Sequence, residues 1–526
     1  MTIRKMPVGI QNFEKLRSEN YLYADKSAYI YRLAQEGAPC FLGRPRRFGK
    51  SLLISAFKAY FQGRKDLFEG LAIAELEKEW TEYPVFHFDL VTGLYDSSGG
   101  LEETLDKNLR TLEAVWGKSE YDISAHARFE SLIRRASEKS GKKVVVLVDE
   151  YDKPLLASLE KGIEHDEIRD TLKAFYSVLK GADHYLRFVF LTGITKFSKV
   201  SLFSDLNQLR DISMLCAYAG ICGITETELA HNFGPEIQAL ADTRGTGYKE
   251  TLEELKRNYN GYHFSEDSEG VFNPFSLLST FANGKISYYW FETGTPAFLA
   301  REMQKNRFNV SKIGEGLMMR QSDIVNYALG ENPVPMLYQS GYLTIKSYDP
   351  RTMRYTLVFP NDEVKYGFLD NLLAAYAPVV KRGNGFFVED FLDDMAKGDM
   401  DSVMRRFQAF FANIPYDITN NFETEQHYET VFYIVFTLLG QYTKAEVRSA
   451  AGRADAVVET DDRVYVFEFK LNAEGGKTWT AEEALAQIDA KDYLIPYQSG
   501  GRALVKVGAV FDREKRNLAS WLISPP

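Results

Sequence analysis

Residues 144–150 read Val-Val-Val-Leu-Val-Asp-Glu, and no other stretch constrains the fold as much. Five apolar residues in a row leave no polar face, and four of them are β-branched valines. Strands covered on both faces read this way, so the run is expected to be a central strand of a parallel sheet. It ends in Asp149 and Glu150. Burying an uncompensated carboxylate is costly, so two of them closing a core strand need a reason. The plain alternative is a solvent-exposed acidic turn.

The surrounding sequence supplies that reason. Ala38 to Leu42 reads as a short buried strand, and Pro84 to Leu90 and Arg187 to Leu191 as further strands. Ser51 to Phe61 reads as a helix with apolar positions at Leu52, Leu53, Ala56, Phe57 and Tyr60. Strands alternating with helical segments imply βαβ units and a parallel sheet, here ending near Gly223.

Gly43–Arg44–Pro45–Arg46–Arg47–Phe48–Gly49–Lys50–Ser51 lies between the first strand and its helix. Backbone N–H groups of such a loop, with the helix N-terminus, cradle phosphates. Gly43 and Gly49 shape the loop. Lys50 is then expected at the β/γ-phosphates of ATP, and the Ser51 hydroxyl at Mg²⁺. The usual spacing wants glycine at position 44, where this chain has arginine. Arg46 and Arg47 can pair with phosphates or dock an acidic surface; the sequence leaves both open. Asp149 is expected to hold Mg²⁺ through water, and Glu150 to act as general base. Beyond Leu191, Thr192 or Thr195 can sense the γ-phosphate. Lys196, Lys199 and Arg210 can meet phosphate or nucleic acid, or be ordinary loop residues.

RPRRFGKS (44–51), LVDEYDKP (147–154) and FVFLTGITKFSKVSLFSDLN (188–207) resemble the bacterial predicted AAA-ATPase-like family. So do NYNGYHF (258–264), VFNPFSLL (271–278) and YWFETGTPAFL (289–299). The resemblance covers nearly the whole chain. It implies ATP binding by a P-loop ATPase of the ASCE class, with Lys50, Ser51, Asp149 and Glu150 in the roles above. It also implies a helical, winged-helix-like lid after the ATPase core, to which Arg257 can contribute a γ-phosphate contact; a surface salt bridge is the plainer role for it. The family commonly ends in a PD-(D/E)XK nuclease-like domain. Asp25–Lys26 matches a family motif without suggesting chemistry.

The expected organisation is an α/β P-loop domain at 1–223, a lid at 224–385 and a nuclease-like α/β domain at 386–526. The last boundary falls in the loop Lys381–Gly385. In the third part, Ala454 to Val458 and Val464 to Phe469 read as a hairpin, followed by a helix at Ala481 to Tyr493 and a strand at Lys506 to Phe511. Residues i and i+2 of a strand share a face, so Glu468 and Lys470 point one way and Phe467 and Phe469 the other. Asp455 joins them if the two strands pair. Asp455 and Glu468 then bind Mg²⁺ or Mn²⁺, and Lys470 orients a water or offsets charge developing on phosphate oxygens. GRAD (452–455) and FEFK (467–470) resemble PD-(D/E)XK nucleases. By that resemblance Glu429, on a helix from Tyr428 to Leu439, is the acid of the first core helix, and Gln487 is the glutamine of resolvase-like branches. Lys491 and Tyr493 are placed on the helix of Gln487. His427 is expected at the surface.

Composition sets limits. A net charge of −10 over 526 residues argues against coating nucleic acid through a global basic field. Three scattered cysteines and no apolar N-terminal run fit a reducing, cytoplasmic setting, and no stretch suits a membrane. The reading is an ATP-dependent enzyme acting on DNA or RNA. Its rivals are a nucleotide-regulated switch or scaffold that binds without cutting, and an ATPase whose tail only oligomerises. A homo-oligomer is compatible with each.

Overall fold

The computed structural model describes residues 4–95, 97–161, 165–196, 208–291, 297–306, 308–327, 332–376, 384–412, 425–440, 446–448, 454–472 and 476–524. Lys199, Gly452, Arg453, most of the loop 381–385 and residues 197–207 of the third motif lie outside them. The chain divides into two compact units. One is Met1–Phe298 with Met318–Glu363; the other is Leu299–Leu317 with Val364–Pro526.

The first unit is built on five parallel strands: β1 (Cys40–Gly43), β2 (Val85–Asp89), β3 (Val144–Asp149), β4 (Leu186–Gly193) and β5 (Arg210–Asp211). Their order is β2-β3-β4-β1-β5. Every residue of β3 is buried, as its lack of a polar face requires. β4 therefore lies between the strand that feeds the phosphate loop and the strand that ends in Asp149. The helix Lys50–Phe61 follows β1 and sends Phe57 against Phe188 and Phe190 of β4.

Residues beyond Gly223 extend this unit. The short strands β6 (Ile224–Thr225) and β7 (Val271–Phe272) pair antiparallel. Thr225 caps the helix Glu226–Asn232: its hydroxyl accepts from Glu228 N–H at 3.1 Å, and Glu228 accepts from Thr225 N–H at 2.9 Å. Leu22 packs with Ile224, Leu229, Phe233, Leu277 and Leu278 in one apolar core. β8 (Leu317–Arg320) follows, and β9 (Thr344–Asp349) and β10 (Arg354–Val358) form an antiparallel hairpin.

The second unit carries a mixed sheet ordered β11 (Glu446–Arg448), β12 (Ala456–Glu459), β13 (Arg463–Asn472), β14 (Ala503–Asp512) and β15 (Asn517–Ser524). β13 and β14 run parallel; the other pairs are antiparallel. The two faces of β13 have different partners. Phe467 and Phe469 meet Phe432 and Phe436 of the helix Glu425–Leu439. Val464 and Val466 pack with Leu485 and Ile488 of the helix Ala481–Ala490. That second helix approaches β14 closely. A Cβ on Gly508 would sit 2.5 Å from Ala481 O and 2.8 Å from Leu485 N.

Two expectations are corrected here. His427 is buried inside the helix Glu425–Leu439 and stacks on Tyr376, with ring centroids 5.7 Å apart; burial pushes its pKa down to about 4. Lys491 and Tyr493 follow the helix Ala481–Ala490 instead of lying on it, because the chain turns at Asp492 with φ of 55°.

Gly508→Ala forces a side-chain carbon against helix backbone, which cannot swing aside. We expect a loss of about 1–3 kcal/mol, measured as a lower denaturant midpoint for the full chain.

Candidate functional site

At the end of β1 the chain turns through Arg44 to Gly49. Arg47 (φ 67°) and Gly49 (φ 94°) both take left-handed conformations, which bend the loop toward the helix that starts at Lys50. A non-glycine residue held there is strained, as often happens at ligand sites. Lys50 is buried, and its Nζ donates to the carbonyls of Arg44 and Pro45, each at 3.0 Å. The ammonium thus sits inside the curl of the loop. Ser51 follows at the helix start, half-buried.

Arg44, which stands where glycine is usual, is a buried cation fixed in place. It is 1% exposed. Its guanidinium donates to the carbonyls of Gly43, Ser213 and Tyr218 at 2.7–2.9 Å, and lies 3.9 Å from the ring centroid of Phe264. The residue braces the loop from behind. Arg46 is half-buried, and its carbonyl accepts from Trp290 Nε1 at 3.2 Å. Arg47 is exposed, with its guanidinium 4.8 Å from the ring centroid of Phe275.

Opposite the loop, Thr192 of β4 donates its hydroxyl to Asp149 Oδ1 at 2.8 Å. Strand order makes this contact, since β4 is the neighbour of β3. Glu150 follows with φ of 52°, its N–H 3.4 Å from Thr192 Oγ1. Thr195 has a different role: its hydroxyl points to Met336 Sδ at 3.4 Å. Lys196 pairs with Asp211 at 2.8 Å, and its N–H donates to Gln339 Oε1 at 2.8 Å. Arg210 pairs with Glu36, and the exposed Arg257 with Asp362 at 3.3 Å.

Four residues here carry more than the sequence suggested. Asp152 is fully buried, and its Oδ2 accepts from the N–H groups of Ile194 and Thr195 at 2.9 and 2.6 Å. Among the described residues its Oδ1 has no hydrogen-bond partner. Burial is the largest influence on it and pushes its pKa up to about 6. Asp89 lies beside Asp149 in register at the end of β2. Lys26 reaches Gly220 O at 2.7 Å and Glu228 at 2.6 Å, while Asp25 caps Ser27 and Ala72 N–H groups. The Asp25–Lys26 motif is thus a tie between the N-terminal segment and residues 220–228. Beside Gly49 lies a cleft of ≈ 580 Å³, lined by Phe48, Leu52, Cys222, Ile224 and Leu278 among others.

In the second unit, β12 pairs with β13 so that Ala456 faces Phe467. One residue further, the same register sets Asp455 opposite Glu468. Asp455 Oδ2 accepts from Phe469 N–H at 2.6 Å. Glu468 is buried, and its Oε1 accepts from Lys470 Nζ at 2.6 Å and from Gln487 Nε2. Burial raises the Asp455 pKa, against the pull of Phe469 N–H and Lys470. The geometry therefore gathers Asp455, Glu468, Lys470 and Gln487. Glu429 stands on the helix covering the opposite face of β13. Among the described residues no group of three or more His, Cys, Asp or Glu assembles for a metal. Two carboxylates remain, a donor set that suits a cation retaining much of its water.

Residues 7–203 match the family model described as predicted AAA-ATPase, and residues 423–521 the PD-(D/E)XK nuclease superfamily. The chain is also 36% identical to an uncharacterized protein in the vnfD 5' region of Azotobacter chroococcum mcd 1, over 99% of each chain. Among the described residues no helix is long and apolar enough to cross a membrane.

The raised pKa of Asp152 has a definite sign. Between its ordinary value of 3.8 and about 6 the folded state binds more protons than the unfolded state. Its contribution to stability therefore falls as pH rises through that window. Asp152→Asn should remove this slope and stabilise the fold near pH 7 by roughly 1–3 kcal/mol, read from denaturant titrations at several pH values.

Proposed function

The chain belongs to the predicted AAA-ATPase family, with a domain of the PD-(D/E)XK nuclease superfamily behind the ATPase part, and from that premise we propose that ATP binding and hydrolysis control a Mg²⁺-dependent nuclease acting on DNA or RNA. In this reading residues 1–223 hold nucleotide, 224–385 form the lid and 386–526 cut, in the cytoplasm. The observation that carries the cutting half is the cluster on β13. One oxygen of buried Glu468 receives both Lys470 and Gln487, with Asp455 set opposite.

Both candidate metal sites offer oxygen donors only: Ser51 and Asp149 in one, Asp455 and Glu468 in the other. When bound, Mg²⁺ supplies positive charge and a more acidic water. The protein's own groups do the positioning. Thr192 orients Asp149 through its hydroxyl, and Glu150 is held at the strand end as general base. Lys50 sits where the ammonium can exchange loop carbonyls for phosphate oxygens. Gln487 holds Glu468 in place, and Phe469 N–H holds Asp455. Lys470 offsets charge developing on the phosphate under attack. The apolar cleft beside Gly49 suits a nucleobase, since such sites are mostly apolar with few polar groups.

One contact favours the rival reading of a binding scaffold. Lys470 Nζ already occupies Glu468 Oε1, an oxygen that a cation would use. Mn²⁺ titration of the full chain separates the two readings. Asp455-dependent binding supports cutting, and its absence supports the scaffold.

We expect Asp455→Ala and Lys470→Ala each to lower Mg²⁺- or Mn²⁺-dependent cleavage roughly 100-fold or more. Lys50→Ala should abolish ATP turnover. Cleavage at wild-type rates in both C-terminal variants would remove this site from the mechanism.

A further inference from the structure

Between β13 and the helix Ala481–Ala490 lies one side chain that the mechanism above does not use. Trp479 is partly exposed. Its ring centroid lies 5.4 Å from Lys470 Nζ and 3.5 Å from Lys477 Nζ. Its backbone is clamped by one residue from both sides: Trp479 N–H donates to Asn472 Oδ1 at 2.6 Å, and Asn472 Nδ2 donates to Trp479 O at 3.1 Å. The indole is therefore held at a fixed point beside the ammonium that the proposed cleavage uses; the Lys477 ammonium lies over one face of the ring, so the other face is the one a ligand would meet.

We propose that Trp479 is a stacking platform for an unpaired nucleobase, so that the nuclease takes single-stranded nucleic acid; the proposal rests on the nuclease reading. An indole offers a π face on which every base can stack, whatever the sequence. A base inside a duplex already has both faces covered and must leave the stack to use such a platform. Electrostatics argues the same way. Duplex binding draws much of its affinity from phosphates neutralised by lysine and arginine. This chain carries a net charge of −10. Several cations of this unit already face carboxylates: Lys477 with Glu483 at 3.0 Å, Arg502 with Glu459 at 2.5 Å, and Lys506 with Asp489 at 3.0 Å. Stacking supplies affinity that does not depend on freeing them.

Trp479 also precedes Thr480, the N-cap of the helix Ala481–Ala490, where an apolar residue can staple a helix start. Substitution separates the two roles. Leucine keeps apolar bulk and loses the π face; phenylalanine keeps both. The test is fluorescence anisotropy of the full chain with labelled oligo-dT, oligo-rU and a hairpin duplex, with Ca²⁺ replacing Mg²⁺ to keep the strands whole. Wild type should bind at least one single strand more tightly than the hairpin, and the preferred strand tells DNA from RNA. Trp479→Leu should weaken that binding roughly 5- to 150-fold, with the loss persisting at high salt. Trp479→Phe should stay within a few-fold of wild type, and the melting temperatures of both variants should match it. If Trp479→Leu binds like wild type, or wild type binds the hairpin as tightly, the platform is overturned and the nuclease reading stands. If wild type neither binds nor cuts any of the three, both fall.

Discussion

A carboxylate taken out of water must be compensated, and that cost organises both halves of this chain. Neutral donors from an adjoining strand or segment do part of the work. Thr192 on β4 donates to Asp149 at the end of β3. The Phe469 amide on β13 donates to Asp455 beside β12. The Ile194 and Thr195 amides after β4 donate to Asp152. Glu468 receives a full positive charge instead, from Lys470 two residues along its own strand. Sheet order thus decides which of these donors reaches which acid. Had β1 been the direct neighbour of β3, Thr192 could not have reached Asp149.

The phosphate loop and the end of β4 also reach beyond Gly223. The Arg46 carbonyl receives Trp290, and the Lys196 amide donates to Gln339. Both partners lie in the span read as a lid. A change in loop shape or in the end of β4 therefore meets side chains of that span directly.

Much of this was legible in residue order. β3 announced itself because a strand buried on both faces cannot carry polar residues, and the helix after the loop because apolar positions recur at its period. The Asp455–Glu468–Lys470 cluster followed from the two-residue repeat of a strand plus one pairing. What stayed hidden depends on contacts far apart in sequence. Arg44 was a misfit until Ser213, Tyr218 and Phe264 came round it. Asp152 is buried only because the amides after β4 close over it, a contact its own neighbours in sequence do not announce. His427 looked polar until Tyr376 covered it. Glycine at 508 carried no local signal, because its cause is the backbone of a helix more than twenty residues earlier.

The bracing of Arg44 has one more consequence. Its charge is shut away from solvent and held by neutral carbonyls, with no carboxylate among the described residues hydrogen-bonded to it. Counter-ions in the medium cannot approach it, so added electrolyte screens it far less than it screens a surface cation. Its hold on the carbonyls of Gly43, Ser213 and Tyr218 therefore changes little between brine and dilute buffer.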